Sequence, residues 1–378
     1  VSPLTAFGFF QSGDSTLCER NTRTAVRIAV TGASGNVGTA VLRALRAAYP
    51  DAQVVGLSRR RPPQEPPFDS VTWVQVDLAS EDSETILLDA FSGVDAVVHL
   101  AIAFQPMRDR GYLRRVNVDG TERVARACEA AGVGHLVHLS SGGIYAPGAY
   151  GVEVDESWPR TGVEASTYSM DKAAAEDVLD GLSTRMRVAR LRPGLISQYS
   201  FGSALLRYAL PDLVPSSIVD VVPFLPIDRS FVVPAVHSDD VADAVVRVLQ
   251  RRASGPFNLA APTPVRADTV ADAFGVRIVP TPKRVLSTAV RVGFTAHVLP
   301  IHHGWVELAF ETPLLNAARA RNELGWQASK DGPAVLRETV RGMQDRAFGD
   351  SPPMRKRTIS DTARSFVRRG FVSRGRPS

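Results

Sequence analysis

The chain has 378 residues, 44% hydrophobic and 22% charged, with 44 basic against 39 acidic side chains. That balance excludes wholesale disorder, and the length suits two domains or one large domain with an elaboration. Two cysteines, Cys18 and Cys128, exclude a disulfide framework or a cysteine-rich zinc site, and the histidines show no metal-ligand spacing.

No run reaches the roughly 18 apolar residues of a membrane-spanning helix, and a reducing cytoplasm is the expected compartment. The formal charge of +5 points at first to nucleic acid. Its location argues otherwise: residues 351–378 carry eight Lys or Arg and one acid, a net of +7, which leaves −2 for residues 1–350. No nucleic-acid partner is expected. Residues 1–25 hold a short apolar patch, Phe7 to Phe10, without the basic start or cleavage site of a secretory signal. They are read as a disordered N-terminal extension, with Val1 a processed terminus or an alternative start written out literally.

In chain order, the first strand is expected at residues 26–30. Thr31-Gly-Ala-Ser-Gly-Asn-Val-Gly38 follows, then a helix with Val41, Leu42 and Leu45 on one face. A second strand, 53–57, ends at Ser58-Arg59-Arg60-Arg61. Further strands are expected at 71–76, 96–100, 135–139, 188–191 and 257–260, with helices between most of them, such as 120–131. Alternating strands and helices imply an α/β fold, a doubly wound parallel sheet covered on both faces.

The rhythm breaks between about 197 and 234. A helix then starts near Asp239 or Asp240, with Val241, Val245, Val246 and Leu249 inward, and 262–345 reads as helical and mixed. In the tail, Ile359, Ala363, Phe366, Val367 and Phe371 share a helical face among arginines. Composition favours a frayed solubilising tail; docking on an acidic membrane or a partner is the alternative.

Glycines 32, 35 and 38 lie between a strand and a helix, where backbone N–H groups and the helix dipole favour an anion. Glycine also lets a pyrophosphate approach without meeting a β-carbon, so a dinucleotide site is expected. The end of the second strand discriminates cofactors: an acid there suits the ribose hydroxyls of NAD, whereas arginine suits the extra phosphate of NADP. Ser58, Arg59 and Arg60 favour NADP, with NAD the alternative. Asp77, ending the third strand, is a candidate partner for the adenine amino group or a turn aspartate.

Tyr168 and Lys172 stand four apart on one helix face. A cation beside a phenol stabilises phenolate, the chemistry of acid–base work on an alcohol. Lys172 is the first lysine of the chain; the other three are Lys283, Lys330 and Lys356. A compact ammonium can reach both a phenol and a ribose hydroxyl, which the rigid fork of arginine does poorly. Ser140 and Ser141 end the strand at 135–139, on the edge where parallel sheets bind ligands.

Together these residues resemble a known family. Thr31-Gly-x-x-Gly-x-x-Gly38, His99-Leu-Ala101, Asn117-Val-Asp-Gly-Thr121, Ser140-Ser141 with Ile144-Tyr145, and Tyr168-x-x-x-Lys172 follow the order of an extended short-chain dehydrogenase/reductase. Leu191-Arg-Pro193, His237-Ser-Asp-Asp-Val-Ala242 and Leu324-Gly-Trp326 continue it, and the match is closest to the NAD-dependent epimerase/dehydratase group. The resemblance implies Tyr168 as acid/base, Lys172 as its tuner and ribose ligand, and Ser141 as the partner of the substrate oxygen. It places a cofactor against Gly32, Ser34, Gly35, Asn36, Val37, Gly38, Ser58, Arg59, Arg60, Asp77, Leu78, Leu100, Ala101, Tyr168, Lys172 and Pro193. It implies a Rossmann domain over 26–196, completed by 236–260, a substrate lobe from 197–235 and 261–347, and a basic tail over 348–378. A homodimer acting on a small-molecule substrate is expected.

Gly142-Gly143 replaces the Asp-Glu pair typical of sugar-nucleotide 4,6-dehydratases and disfavours that reaction. Gly194-Leu-Ile-Ser-Gln-Tyr199 departs from the usual diphosphate-contact motif, for which Arg229 is a candidate replacement. The expected activity is epimerisation or oxidoreduction at a secondary alcohol or ketone, with a nucleotide sugar as one substrate class. The alternatives are an NADPH-dependent reductase or hydroxysteroid-like dehydrogenase on an apolar substrate, suggested by the Leu, Val, Pro and Phe of 200–235, and a non-catalytic NADP-binding sensor that uses the tail.

Overall fold

Seven runs rich in β-branched and other apolar residues form parallel strands in the computed structural model, which describes residues 25–103, 108–182, 185–211 and 214–358. They are β1 (Arg27–Thr31), β2 (Gln53–Ser58), β3 (Val71–Gln75), β4 (Ala96–His99), β5 (His135–Leu139), β6 (Arg187–Pro193) and β7 (Gly255–Leu259). Their order across the sheet is β7-β6-β5-β4-β1-β2-β3. The order reverses between β1 and β4, which pair with Thr31 opposite His99, and that reversal opens a crevice at the carboxyl edge.

The pleat explains how β1 is buried on both sides. Ile28 and Val30 join one core with α1 (Asn36–Ala48), while Ala29 joins the other with α2 (Ser83–Phe91) and α3 (Gly120–Ala130). Each such fully buried Ile or Val contributes roughly 1.5–3 kcal/mol of apolar transfer. The second core also takes Leu179 from α4 (Thr167–Asp180), and Cys128 packs there at 0% exposure. After β6 the chain forms α5 (Gly202–Ala209) and then α6 (Ser238–Arg251), which lies against α1 and is bridged to it by Arg43 and Asp239 at 2.7 Å. Leu324 and Trp326 fill the same core, and the Trp326 indole donates to the Asp240 carbonyl at 2.8 Å.

A smaller cluster joins Ile227, Val233 and Ala235 to α7 (Ala267–Phe274). The helices α8 (Lys283–Thr295), α9 (Gly304–Glu311) and α10 (Gly332–Gln344) complete this part of the molecule. No helix among the described residues is long and apolar enough to cross a membrane.

One expectation needs correction. The first part of the basic tail does not fray: Ser351 and Met354 are each 1% exposed, and the guanidinium of Arg357 donates to the carbonyls of Val214 (2.8 Å) and Pro211 (2.6 Å). Composition hid this because Arg357 serves backbone carbonyls rather than solvent, while Arg355 stays exposed. The N-terminal patch, Cys18 and the face formed by Ile359, Ala363, Phe366, Val367 and Phe371 lie outside the described residues.

Candidate active site

The loop after β1 is shaped by contacts that admit only hydrogen as a side chain. Gly32 has φ +68°, and a Cβ there would stand 2.8 Å from the backbone of Ala101; a Cβ on Gly38 would stand 2.3 Å from the Gly32 carbonyl oxygen. Gly35 caps α1, whose first turn carries no acidic side chain, so the dipole is free to meet an anion. The cradle fits the pyrophosphate of a dinucleotide.

The side chain of Asn36 is committed elsewhere, accepting from Gln198 Nε2 at 2.7 Å and Ser238 Oγ at 3.1 Å. Ser34, Val37, Leu78, Leu100 and Pro193 are buried, and Ala101 is half-buried, against the same edge of the sheet.

At the end of β2, the Ser58 hydroxyl donates to the Arg60 carbonyl at 2.9 Å and turns the chain. Arg59 donates to the Tyr112 hydroxyl at 2.7 Å, and that hydroxyl donates in turn to Asp77 at 3.1 Å. Asp77 also accepts the Ala79 N–H at 3.0 Å, so it organises its own turn. Arg229 is exposed and lies in none of these contacts.

The start of α4 is pinned to the loop after β5. Ser169 Oγ donates to the Gly143 carbonyl at 2.6 Å and accepts from the Val163 N–H at 2.7 Å. Ser141 accepts from the Gly143 N–H at 3.0 Å, and its hydroxyl hydrogen-bonds the Tyr168 phenol. Burial pushes that phenol up, and the Ser141 bond pulls it down.

One turn on, Lys172 is 6% exposed and donates to the Leu139 carbonyl at 2.6 Å. Desolvation lowers its ammonium to about 8, against the opposing pull of Glu176 and Asp171. The structure thus gathers Ser141, Tyr168 and Lys172 at the carboxyl edge of β5. The cation rests on a carbonyl, and for the phenol the effect of burial outweighs the Ser141 bond, so it lies above its ordinary value.

Sequence reasoning gave no role to Asn117, Glu176 or Arg192, which support the site. Asn117 donates to Asp171 at 3.0 Å and to the Ala103 carbonyl at 2.8 Å, fixing the loop after β4 to α4. Glu176, the next turn after Lys172, accepts two bonds from Arg192 (2.9 and 2.6 Å) inside the protein, and Arg192 also donates to the Tyr145 hydroxyl at 3.1 Å. The run Tyr168, Lys172, Glu176 is legible as i, i+4, i+8 spacing.

Trp305 of α9 gave no such signal, because tertiary packing alone brings its ring to 5.1 Å from that of Tyr168. Near it, Arg108 lies 3.9 Å over the Phe294 ring, and His302 meets Phe294 edge-on at 4.9 Å. Burial lowers His302 to about 4. Beneath Lys172, His99 is held neutral at about 3 by burial, bonded to Thr31 Oγ1 at 2.6 Å. His138 is likewise lowered by burial and by the Lys172 charge, so both imidazoles beside the ammonium are neutral at pH 7.

A model of the NAD dependent epimerase/dehydratase family matches residues 28–260. An uncharacterized protein of Mycobacterium tuberculosis is 30% identical over 344 residues, 89% of this chain and 33% of that protein. The chain therefore spans about a third of the length of that relative. The 2-alkyl-3-oxoalkanoate reductase of Stenotrophomonas maltophilia is 30% identical over 186 residues, 45% of this chain and 51% of that enzyme. Among solved structures, the UDP-glucose-4-epimerase of Stenotrophomonas maltophila with bound NAD and formylated UDP-arabinopyranose superposes with a TM-score of 0.62 at 20% identity, covering 85% of this chain and 98% of that one. That likeness concerns the fold.

Proposed function

The chain belongs to the NAD dependent epimerase/dehydratase family, and we propose that it is an NADP-linked oxidoreductase acting at a secondary alcohol or ketone carbon of an apolar substrate. When bound, the nicotinamide ring supplies or takes up the hydride. Tyr168 gives or removes the proton on the substrate oxygen, and Ser141 holds that oxygen by hydrogen bonding. Lys172 supplies the positive charge that favours phenolate, and Glu176 and Asp171 favour its charged form. Ser58, Arg59 and Arg60 receive the ribose end of the cofactor. Residues 26–196 with 236–260 form the nucleotide unit in this reading, and 197–235 with 261–347 the substrate lobe.

The observation that carries the substrate class is the wall around Tyr168. Trp305 stacks beside its ring, and a Cβ at Gly142 would meet the Leu315 side chain at 2.7 Å. A side chain at 142 would have to displace Leu315, which weighs against the acid pair of a dehydratase. Leu308 and the Ser141 hydroxyl each stand 3.2 Å from the corresponding point on Gly143, so apolar side chains line the site beside the one hydroxyl that would hold the substrate oxygen. The oxoalkanoate reductase among the relatives supports a ketone bearing alkyl chains.

The test is a screen of alkyl ketones and nucleotide sugars with the full chain, following the absorbance of NADPH. Tyr168→Phe is expected to reduce turnover by about 10²–10⁴-fold and leave cofactor binding intact. Full turnover in that variant would remove the mechanism. Cofactor that co-purifies and never exchanges, with nucleotide sugars as the active substrates, would replace reduction with epimerisation.

A further inference from the structure

Arg108 is a half-buried cation without a counter-charge. It stands on the loop that follows β4, at the carboxyl edge where parallel sheets bind ligands. The same loop is tied to α4 by Asn117, which bonds both the Ala103 carbonyl and Asp171. The Arg108 guanidinium lies 3.9 Å over the Phe294 ring of α8 and donates one N–H to the Phe294 carbonyl at 2.5 Å. An arginine carries five such donors, and no carboxylate among the described residues pairs with this one. Glu307 of α9 is spent on Lys283 at 2.8 Å and on the Ser287 hydroxyl at 2.5 Å.

The Phe294 ring also meets a second donor. His302 approaches it edge-on, with ring centroids 4.9 Å apart, and is 6% exposed. Its Nδ1 accepts the Gly304 N–H at 3.1 Å, so the neutral ring keeps its proton on Nε2, which bonds nothing among the described residues. The Trp305 N–H donates to the His302 carbonyl at 3.0 Å, and the Trp305 ring stands 5.1 Å from that of Tyr168. Gly304 closes the seam: a Cβ there would stand 2.2 Å from the carbonyl oxygen of Ala165, just ahead of Tyr168 in the chain. Arg108, Phe294 and His302 therefore belong to the same wall as the Tyr168 phenol.

We infer that Arg108, with the His302 Nε2–H beside it, receives a carboxylate on the substrate, which is then an oxo acid with an apolar chain or the matching hydroxy acid. The inference deepens the reductase reading given above and rests on it. A single guanidinium edge offers two parallel N–H groups to the two oxygens of a carboxylate. The Phe294 and Trp305 rings favour the chain of such an acid over a hydrated diphosphate. Reduction adds a hydride from NADPH to the ketone carbon and the Tyr168 proton to its oxygen, and leaves the carboxylate unchanged. Ser141 and Tyr168 read the oxygen that reacts; Arg108 reads the acid end of the chain.

The test follows NADPH absorbance with the full chain and two probes, 3-oxodecanoate and its methyl ester, in the native protein, Arg108→Gln, Arg108→Lys and His302→Asn. Glutamine keeps a donor for the Phe294 carbonyl and removes the charge; asparagine keeps an acceptor for the Gly304 N–H and removes Nε2. The native chain is expected to favour the acid by about tenfold or more in kcat/KM, a preference carried by KM. That preference should vanish in Arg108→Gln, weaken in His302→Asn and return in part in Arg108→Lys. An Arg108→Gln protein that loses acid and ester alike would make Arg108 a packing residue and overturn the inference. Native protein that reduces both probes equally, or only uncharged ketones, would overturn it and leave the reductase reading standing. Inhibition by UDP that disappears in Arg108→Gln would assign the guanidinium to a diphosphate, which also overturns it. Native protein that reduces no ketone, charged or uncharged, would remove the reductase reading and the inference with it.

Discussion

Lys172 is costly to the fold at neutral pH, and the cost is measurable. Its ammonium titrates at about 8 in the folded chain against 10.5 for an ordinary lysine, with desolvation the leading cause. Below pH 8 both folded and unfolded chains carry the proton, and the folded state bears the full penalty, about 3 kcal/mol for a shift of this size. Between pH 8 and 10.5 the unfolded chain binds a proton that the folded chain has released. Stability from this residue therefore rises with pH, by about 1.4 kcal/mol per unit.

Lys172→Met keeps the bulk and removes the titration. It also removes the bond to the Leu139 carbonyl, at a cost of about 1–3 kcal/mol that does not vary with pH. The difference between the two proteins' pH profiles isolates the charge. Urea unfolding followed by tryptophan fluorescence at pH 7, 8, 9 and 10 is the assay. The native protein should gain on the variant by roughly 1.4 kcal/mol per unit above pH 8, while the variant turns over no substrate at any pH. Parallel stability curves would refute the buried-ammonium argument.

Two further outcomes are expected. Gly32→Ala forces a Cβ against the Ala101 backbone in a left-handed conformation, so cofactor binding in a fluorescence titration should fall below detection and stability should drop by about 1–3 kcal/mol. Glu176→Gln leaves the buried Arg192 guanidinium without its counter-charge, which costs about 3–5 kcal/mol and should appear as a large fall in melting temperature. The same change withdraws charge that supports the Lys172 proton, so the alkaline limb of the pH–rate profile should move to lower pH.

The parts of this site that local chemistry dictates were legible in the sequence. The Gly32 and Gly38 positions follow from backbone approach, and the strands from runs of β-branched residues. Strand ends moved by one or two positions, as where β4 stops at His99 rather than Leu100, because the ladder rather than the apolar run sets the limit. Trp305 was illegible because nothing within its own helix marks it; tertiary packing brings its ring beside that of Tyr168. The first part of the basic tail, residues 351–358, was misread for the opposite reason. Its composition carries a strong signal, solvation, yet Arg207 and Arg357 are spent on carbonyls that no sequence pattern reveals.

The scarcity of lysine gains a physical meaning from the buried line along α4. Tyr168, Lys172 and Glu176 stack on successive turns, and Arg192 closes the line from β6. An arginine at 172 would keep its charge at any working pH and bring a wide fork of donors into a chamber that offers the Leu139 carbonyl and two neutral histidines, His99 and His138. Lysine fits one acceptor, and burial places its titration within reach of neutral pH, where small changes in nearby charge decide its state. The Glu176–Arg192 pair then has a second effect besides joining α4 to the sheet. It fixes a carboxylate one turn behind the ammonium and keeps it ionised, which favours the charged form of Lys172.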